Sequence, residues 1–125
     1  IYYEDTDSGG VVYYANYLKF IERARTEMIN ELGFTLTTLL KDYDRLFLVK
    51  KIECDYIESC KLEDRLNVQS RVLLLKNASF ELEQNILKQN NFIFRSKILM
   101  VCVNSRGAPC KIPSELHSLM KNKDG

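Results

Sequence analysis

The feature that most constrains this fold is one long amphipathic helix followed mainly by strand-like segments. Between Tyr14 and Leu32 the apolar side chains recur every three or four residues, which is the period of an α-helix. Gly33 follows as a natural stop, and a helix of this length spans about 28 Å. Its predicted inward face comprises Leu18, Ile21, Met28, Ile29 and Leu32, with Arg25 as the polar member.

Strand-like segments dominate the chain after a less regular stretch at 34–44, which is predicted to form a short helix and then a loop. Apolar and polar residues then alternate with a period of two, which is typical of half-buried strands. The pairs Asn77-Ala78 and Asn90-Asn91 suit tight hairpin turns. The predicted strands are 46–57, 65–76, 79–89 and 92–104, preceded by a strand end at 1–4 and followed by a short, fraying helix at 114–123.

A single helix with a wide apolar face cannot bury itself, so the strands must curl around it. The sequence therefore predicts an α+β fold in which a curved antiparallel meander wraps one central helix. We expect residues 1–125 to form a single domain, with the true N-terminus trimmed because the chain begins with Ile1. Apolar residues on the outer face of the sheet, such as Leu73, Val101 and Val103, and long edge strands favour a homodimer or homotetramer.

Charge and composition exclude several classes of function. The net charge of +1 provides no field to recruit nucleic acid or an anionic membrane, and no apolar run approaches the roughly 20 residues that span a bilayer. The four cysteines form no CxxC pair, and the sequence contains one histidine, His117, so no metal site is expected. We interpret the cysteines as small buried residues of a protein in the reducing cytoplasm, and His117 as a surface residue.

The stretch EDTDSGGVVYYANY, residues 4–17, is the candidate site, although a plain turn with a helix cap would also explain it. A calcium loop counted from Asp5 fails, because its fifth and twelfth positions are Gly9 and Asn16. A phosphate-binding P-loop fails because Val11 and Val12 follow the glycines, where Lys and Ser or Thr are required.

The functional interpretation of this stretch combines a carboxylate with the start of a helix. Gly9 and Gly10 let the backbone approach another group closely. The helix start behind them presents unpaired N–H groups that could stabilise an oxyanion. The nearby carboxylate of Asp7 could attack a carbonyl or activate a water molecule. This combination would support acyl transfer without serine, histidine, cofactor or metal.

The residues YEDTDSGGVVYYANYLKFIERAR resemble the signature of the hotdog-fold acyl-CoA thioesterases, particularly the Tol-Pal-associated branch, which is similar to the 4-hydroxybenzoyl-CoA thioesterases. The resemblance implies the hotdog fold and hydrolysis of an acyl-CoA to a free acid and coenzyme A. The matching positions are Asp5, Asp7, Gly10, Tyr13, Asn16, Tyr17, Glu22 and Arg25.

The resemblance also implies roles for individual residues. Asp7 would be the catalytic carboxylate, and the backbone N–H of Tyr14, where many relatives have His, would polarise the thioester carbonyl. Asp5, Gly10, Tyr13 and Asn16 would shape or support the loop, while Glu22 and Arg25 could pair along the helix. The nucleotide part of coenzyme A would lie at a subunit boundary, where the 76–79 turn offers Lys76 and Ser79, with Arg106 and Lys111 as weaker candidates.

Two alternatives stay open at this point. A hydratase of the same fold would need a histidine near the helix or the loop, and none precedes His117. A non-catalytic module that binds an acyl group or an acyl carrier protein would keep the fold without turnover. Whether Asp7 acts as nucleophile or general base, and which acyl chain is accepted, are not determined by these residues.

Overall fold

A computed structural model describes residues 15–61 and 64–123, which form three helices and four strands. The predicted strand end at 1–4 lies outside the described residues. The elements in chain order are α1 (Ala15–Glu31), α2 (Leu36–Tyr43), β1 (Leu46–Tyr56), β2 (Leu66–Leu75), β3 (Ser79–Lys88), β4 (Asn91–Val103) and α3 (Ser114–Lys123).

The long helix α1 ends where the sequence predicts. Gly33 has a φ of +94°, a left-handed conformation that glycine adopts without strain from a Cβ atom. The N–H of Gly33 donates to the carbonyl of Asn30 at 2.9 Å, and the N–H of Phe34 donates to the carbonyl of Ile29 at 3.3 Å. This pair of bonds is a Schellman motif, which satisfies carbonyls at the end of the helix.

The uncertain segment after α1 forms the short helix α2. Thr35 caps its start, because the Thr35 side chain accepts from the Thr38 N–H while the Thr38 side chain accepts from the Thr35 N–H. Asp44 closes the other end in a left-handed conformation, with a φ of 55°. Local capping chemistry therefore defines both ends of this element.

The four strands form one antiparallel sheet in the order β1-β4-β3-β2. The predicted meander is confirmed for β2, β3 and β4, but it is wrong for β1, which pairs with β4 instead of β2. The nine-residue connection at 57–65 is long enough to carry the chain from one side of the four described strands to the other. This order gives β3 and β4, the two most buried strands, a partner on both sides.

Both predicted hairpins are present, one of them shifted by a residue. The Lys76 N–H donates to the Ser79 carbonyl at 2.8 Å, which closes the Asn77-Ala78 turn as predicted. The second turn is centred on Gln89 and Asn90, which both have positive φ. That conformation belongs to a type I′ turn, whose twist matches the flanking strands.

The main core lies between α1 and the inner face of the sheet, where α1 packs chiefly against β2 and β3. Helix α3 also belongs to the core, since Leu116 and Met120 are fully buried, and the expectation of a fraying terminal helix is wrong for these residues. The sheet positions on which the oligomer prediction rested differ in burial. Val103 is buried, whereas Leu73 and Val101 are half-buried.

Candidate functional site at the start of α1

The structure describes only part of the predicted site. Five of its residues lie outside the described ranges, namely Asp5, Asp7, Gly10, Tyr13 and Tyr14. Asn16, Lys76 and Ser79 are described, and so is the helix that the candidate loop leads into. The geometry available is therefore that of the helix start and of the elements that hold it.

The first turn of α1 contains no charged side chain. Ala15, Asn16, Tyr17 and Leu18 begin the helix, so no acidic side chain in this turn neutralises its positive end. Asn16 as a whole residue is 8% exposed and belongs to the buried polar residues. An oxyanion placed beyond this turn would face the positive end of the helix dipole without a competing carboxylate in the first turn.

Tyr17 fixes this turn to the rest of the molecule. Its ring is fully buried, and its hydroxyl lies 3.1 Å from the carbonyl oxygen of Glu58 and 3.3 Å from Sγ of Cys60. Both partners lie in the connection between β1 and β2. A residue in the first turn of α1 is thus tied to a segment more than forty positions away in the chain.

Aromatic packing against β4 and β1 also holds Tyr17 in place. The Tyr17 ring meets the Phe94 ring edge to face, with centroids 5.6 Å apart, and the Tyr56 ring lies at 5.9 Å. Phe94 belongs to β4 and Tyr56 to β1. Such aromatic pairs add about 0.5–1.5 kcal/mol each beyond the area that they bury.

The electrostatic setting of Tyr17 indicates a structural role rather than proton transfer. Burial raises the pKa of the Tyr17 hydroxyl well above its usual value, and burial likewise raises the pKa of the Cys60 thiol. Both groups are therefore neutral near pH 7. Tyr17 can position the helix start through its hydrogen bonds, but it is a poor general acid or base.

Charged groups hold the β1–β2 connection to the sheet. Nζ of Lys88 on β3 lies 3.4 Å from Oε1 of Glu58 and 3.8 Å from Oδ2 of Asp64. Asp64 also accepts a hydrogen bond from the backbone N–H of Lys61. The β1–β2 connection, which contacts the Tyr17 hydroxyl, is thus itself held to β3 by ion pairs.

Arg25 takes a different partner from the one suggested by its spacing. Its Nη1 donates to Oε1 of Gln84 on β3 at 2.9 Å, so the guanidinium faces the sheet. Glu22 acts on Arg25 electrostatically, but the salt bridges of the described residues do not include this pair. Partial burial lowers the pKa of Arg25, although the group stays charged at neutral pH. The alternation of β3 could have revealed this, because Gln84 occupies a position between the inward residues Leu82 and Ile86.

Lys76 and Ser79 lie at the far end of the sheet from Tyr17. Ser79 pairs with Val101 on β4, whereas Tyr17 packs against Phe94, seven residues away along the same strand. Seven strand residues span about 23 Å. The structure therefore does not bring Lys76 or Ser79 to the start of α1 within one protomer.

His117 and the four cysteines do not form a metal site among the described residues. His117 is half-buried with its Nε2 enclosed, so the prediction of a surface position is wrong, and this nitrogen has no hydrogen-bond partner among the described residues. All four cysteines are free, and two of them, Cys60 and Cys102, are fully buried. Within 15–61 and 64–123, no group of three His, Cys, Asp or Glu residues could hold a metal ion.

None of the helices in the described part of the chain is long and apolar enough to cross a membrane.

The curved antiparallel sheet and its long helix place the protein among the hotdog thioesterases. The sequence profile of the Thioesterase-like superfamily matches residues 2–119, and this chain belongs to that superfamily. The predicted family and fold are thereby confirmed.

Individual relatives agree with this assignment. The chain is 40% identical over 117 residues to the acyl-CoA thioesterase YbgC of Haemophilus influenzae, covering 93% of this chain and 86% of the relative. It is 33% identical to the acyl-CoA thioesterase YbgC of Helicobacter pylori, covering 96% and 95%. A solved structure of a probable thioesterase from Bartonella henselae superposes with a TM-score of 0.85 at 32% identity, covering 90% of this chain and 94% of that one.

Proposed function

We propose that this protein hydrolyses the thioester of an acyl-CoA, with Asp7 as the catalytic carboxylate and the Tyr14 N–H as an oxyanion donor. The observation that carries the proposal is the uncharged first turn of α1, which Tyr17 fixes to the sheet directly after the candidate loop in sequence. The activity class, an acyl-CoA thioester hydrolase, agrees with the sequence prediction and with the names of the relatives.

The chemistry needs few groups because a thiolate is a good leaving group. In the general-base route, Asp7 takes a proton from water while the water oxygen bonds to the acyl carbon. The oxyanion formed is held by the helix start, and its collapse breaks the C–S bond and returns the proton to the thiolate. Loss of one backbone donor of this kind typically lowers the rate by about 10²–10³-fold.

In the nucleophilic route, a carboxylate oxygen of Asp7 bonds to the acyl carbon and the thiolate leaves, which gives a mixed anhydride. Water then hydrolyses the anhydride and restores the carboxylate. Label that appears in the Asp7 carboxylate after a single turnover in ¹⁸O water would establish the nucleophilic route, because the general-base route transfers no solvent oxygen to Asp7.

The neighbouring residues would support this centre. Asp5 would hold the loop, Gly10 would allow close approach of the backbone, and Tyr13 would lead into the helix. Asn16, which is buried in the first turn, would fix the beginning of α1 from inside the protein. These roles follow from the family signature at the matching positions.

Lys76 and Ser79 are the proposed contacts for phosphates of coenzyme A. Lys76 is exposed and Ser79 is half-buried in the same turn, so both are available to a ligand. Because this turn lies about 23 Å along the sheet from Tyr17, we assign it to the nucleotide bound by another subunit.

A second subunit is also favoured by β1. Its only partner among the described strands is β4, and it exposes Leu48, Val49, Ile52 and Tyr56 along its length. A long edge strand that exposes apolar side chains of this kind is a candidate for pairing with another chain. We therefore propose a homodimer that continues the sheet through β1, with a homotetramer as the higher assembly.

The catalytic assignment is tested by Asp7→Asn, with Asp42→Asn on α2, where the residue is exposed, as the matched control. We expect kcat to fall by about 10²–10⁴-fold in the first variant and to stay unchanged in the second, with similar melting temperatures. Release of free thiol from a panel of acyl-CoA substrates provides the measurement. An Asp7→Asn variant with full activity would overturn the assignment.

The second candidate is a module that binds an acyl group or an acyl carrier protein without turnover. It rests on the shared fold, and the same panel separates the two functions. Binding without thiol release from any substrate would favour the module.

Two further proposals concern context. The four free thiols support a cytoplasmic location, because unpaired cysteines persist in a reducing compartment. We also propose that residues 1–125 form one domain, since α1, the sheet and α3 contribute to one core.

A further inference from the structure

A row of polar side chains crosses the inner face of the sheet beneath α1. Ser70 on β2, Gln84 on β3 and Ser96 on β4 are paired directly across the three strands. Gln84 is fully buried and Ser96 is 4% exposed. The neighbouring rows on either side are apolar, namely Val72–Leu82–Ile98 and Val68–Ile86–Phe94.

The amide of Gln84 is fully used by contacts on both sides of the core. Its Nε2 donates to the carbonyl of Ile21 in α1 at 3.0 Å and to Oγ of Ser70 at 2.9 Å. Its Oε1 accepts from Arg25 of α1 at 2.9 Å. One side chain at the centre of the sheet therefore holds both a backbone and a side-chain group of the helix.

These bonds fix α1 along its axis in a way that the apolar contacts cannot. Burial of apolar surface is non-directional, so a small slide of the helix would exchange one apolar contact for another. The same slide would separate Gln84 from Ile21 and Arg25. A buried amide left without partners is energetically unfavourable, so the polar row selects one position.

The helix transmits that position to its start. Ile21 lies six residues after Ala15, which corresponds to about 9 Å of helix. An error in the axial position of Ile21 therefore appears at the first turn, where the proposed oxyanion donors lie. Misplacement of reacting groups by about 1 Å can lower a rate by about 10²-fold.

We infer that Gln84 is a positioning residue, which sets the start of α1 through its bonds to Ile21 and Arg25. This inference rests on the proposed function, because it gives the helix start a catalytic task. Gln84 itself touches neither substrate nor reacting atoms in this proposal. Its role is to hold the N–H groups of the first turn where the thioester carbonyl must bind.

Gln84→Leu tests the inference, and Gln69→Leu on the exposed side of β2 is the matched control. We expect Gln84→Leu to lower kcat by about 10–100-fold with KM within about threefold of wild type, and the control to leave both unchanged. Both variants are assayed well below their melting temperatures. A purely structural role would lower the melting temperature and leave kcat unchanged in the folded protein.

Two further variants keep the test decisive if leucine is poorly accommodated. Gln84→Met replaces the amide side chain with an unbranched apolar one. Arg25→Met removes the hydrogen bond that the half-buried Arg25 donates to Gln84. We expect Gln84→Met to resemble Gln84→Leu, and Arg25→Met to lower kcat by about threefold. Wild-type kcat in every folded variant would overturn the inference.

Hydrogen exchange of the α1 amides separates this inference from the proposed function. We expect exchange between Ile21 and Met28 to be about tenfold faster in Gln84→Leu than in Gln69→Leu, because the anchor is lost. A wild-type protein that turns over no acyl-CoA would overturn the proposed function, and the exchange comparison would still apply. Equal exchange in the two variants would overturn the anchoring role of Gln84.

Discussion

The two halves of the inner sheet face contrast in their burial. Beneath α1, Leu82, Ile86 and Ile98 are fully buried. On β1, Ile52 pairs with Ile98 and faces the same side of the sheet, yet it is 38% exposed. Val49 and Tyr56 on that face are similarly exposed, at 45% and 40%.

The difference follows from the width of a helix. An α-helix with its side chains is about 10–12 Å across, whereas neighbouring strands lie about 4.8 Å apart. One helix therefore covers two or three strands, and α1 packs chiefly on β2 and β3. Of the described helices, α1 leaves Val49 and Ile52 on β1 exposed, so this part of the face stays accessible to the second subunit proposed above.

The largest expected effect is in the covered half, through Phe94→Ala. This ring is fully buried between Tyr17 and Tyr56, so we expect the free energy of unfolding to fall by about 3–5 kcal/mol. Phe92→Ala is the matched control, because Phe92 is 38% exposed and contacts Arg95 near the surface. Urea denaturation measures both, and equal losses would show that the contrast in burial has no energetic counterpart.

A charge on the uncovered half should act on association. We expect Ile52→Lys to weaken the proposed dimer by about 100-fold, or roughly 2.7 kcal/mol, because an ammonium group would be buried at the interface. Leu36→Lys on α2 replaces an exposed leucine away from β1 and should leave association unchanged. Sedimentation equilibrium measures the association constant. A dimer that tolerates Ile52→Lys would place the interface elsewhere.

A smaller effect is expected from Tyr17→Phe, which removes one hydroxyl from the covered half. The Glu58 carbonyl and the Cys60 thiol lose their partner, so we expect a loss of about 1–2 kcal/mol in the free energy of unfolding. Tyr43→Phe removes the hydroxyl of a tyrosine that is 39% exposed and should change little. Thermal and urea unfolding compare the two, and an unaffected Tyr17→Phe variant would argue against the tether.

The effect that is smallest near neutral pH should appear in the dependence of stability on pH. Burial raises the pKa of Cys102 to about 11, above the ordinary thiol value of about 8.5. The unfolded chain then loses this proton before the folded one, so stability is complete below about pH 8.5 and declines as the pH rises towards 11. We expect Cys102→Ala to reduce that slope relative to wild type, measured by urea unfolding between pH 7 and 10. An unchanged slope would mean that Cys102 is less shielded than its burial indicates.

The sequence predicted most of the local structure. The predicted helix from Tyr14 to Leu32 agrees with α1 to within one residue at each described end, because period and capping act over a few residues. The turn at Gln89 and Asn90 was displaced by one residue, since the sequence offers two adjacent asparagines. Pairing of the flanking strands selects between these turns.

Less of the candidate site could be predicted. The family signature named Asp7 and Tyr14, and these assignments stay predictions because both residues lie outside the described ranges. The hydrogen-bond partners of Tyr17, and those of Gln84 in α1, are more than forty residues away in sequence, and no local pattern identifies them. The inward position of Gln84 was readable from the alternation of β3, but the groups that would satisfy its amide were not.

The order of residues alone determined that there is one long helix, where it ends, and which segments are strands. Periodicity, capping and turn preference are local, so they are already present in a short stretch of chain. Only the tertiary structure decided that β1 lies beside β4, that Gln84 meets α1, and that one face of β1 stays exposed. These outcomes depend on which strands the single long helix packs against. Because that packing involves residues far apart in sequence, it is decided only when all the strands are assembled.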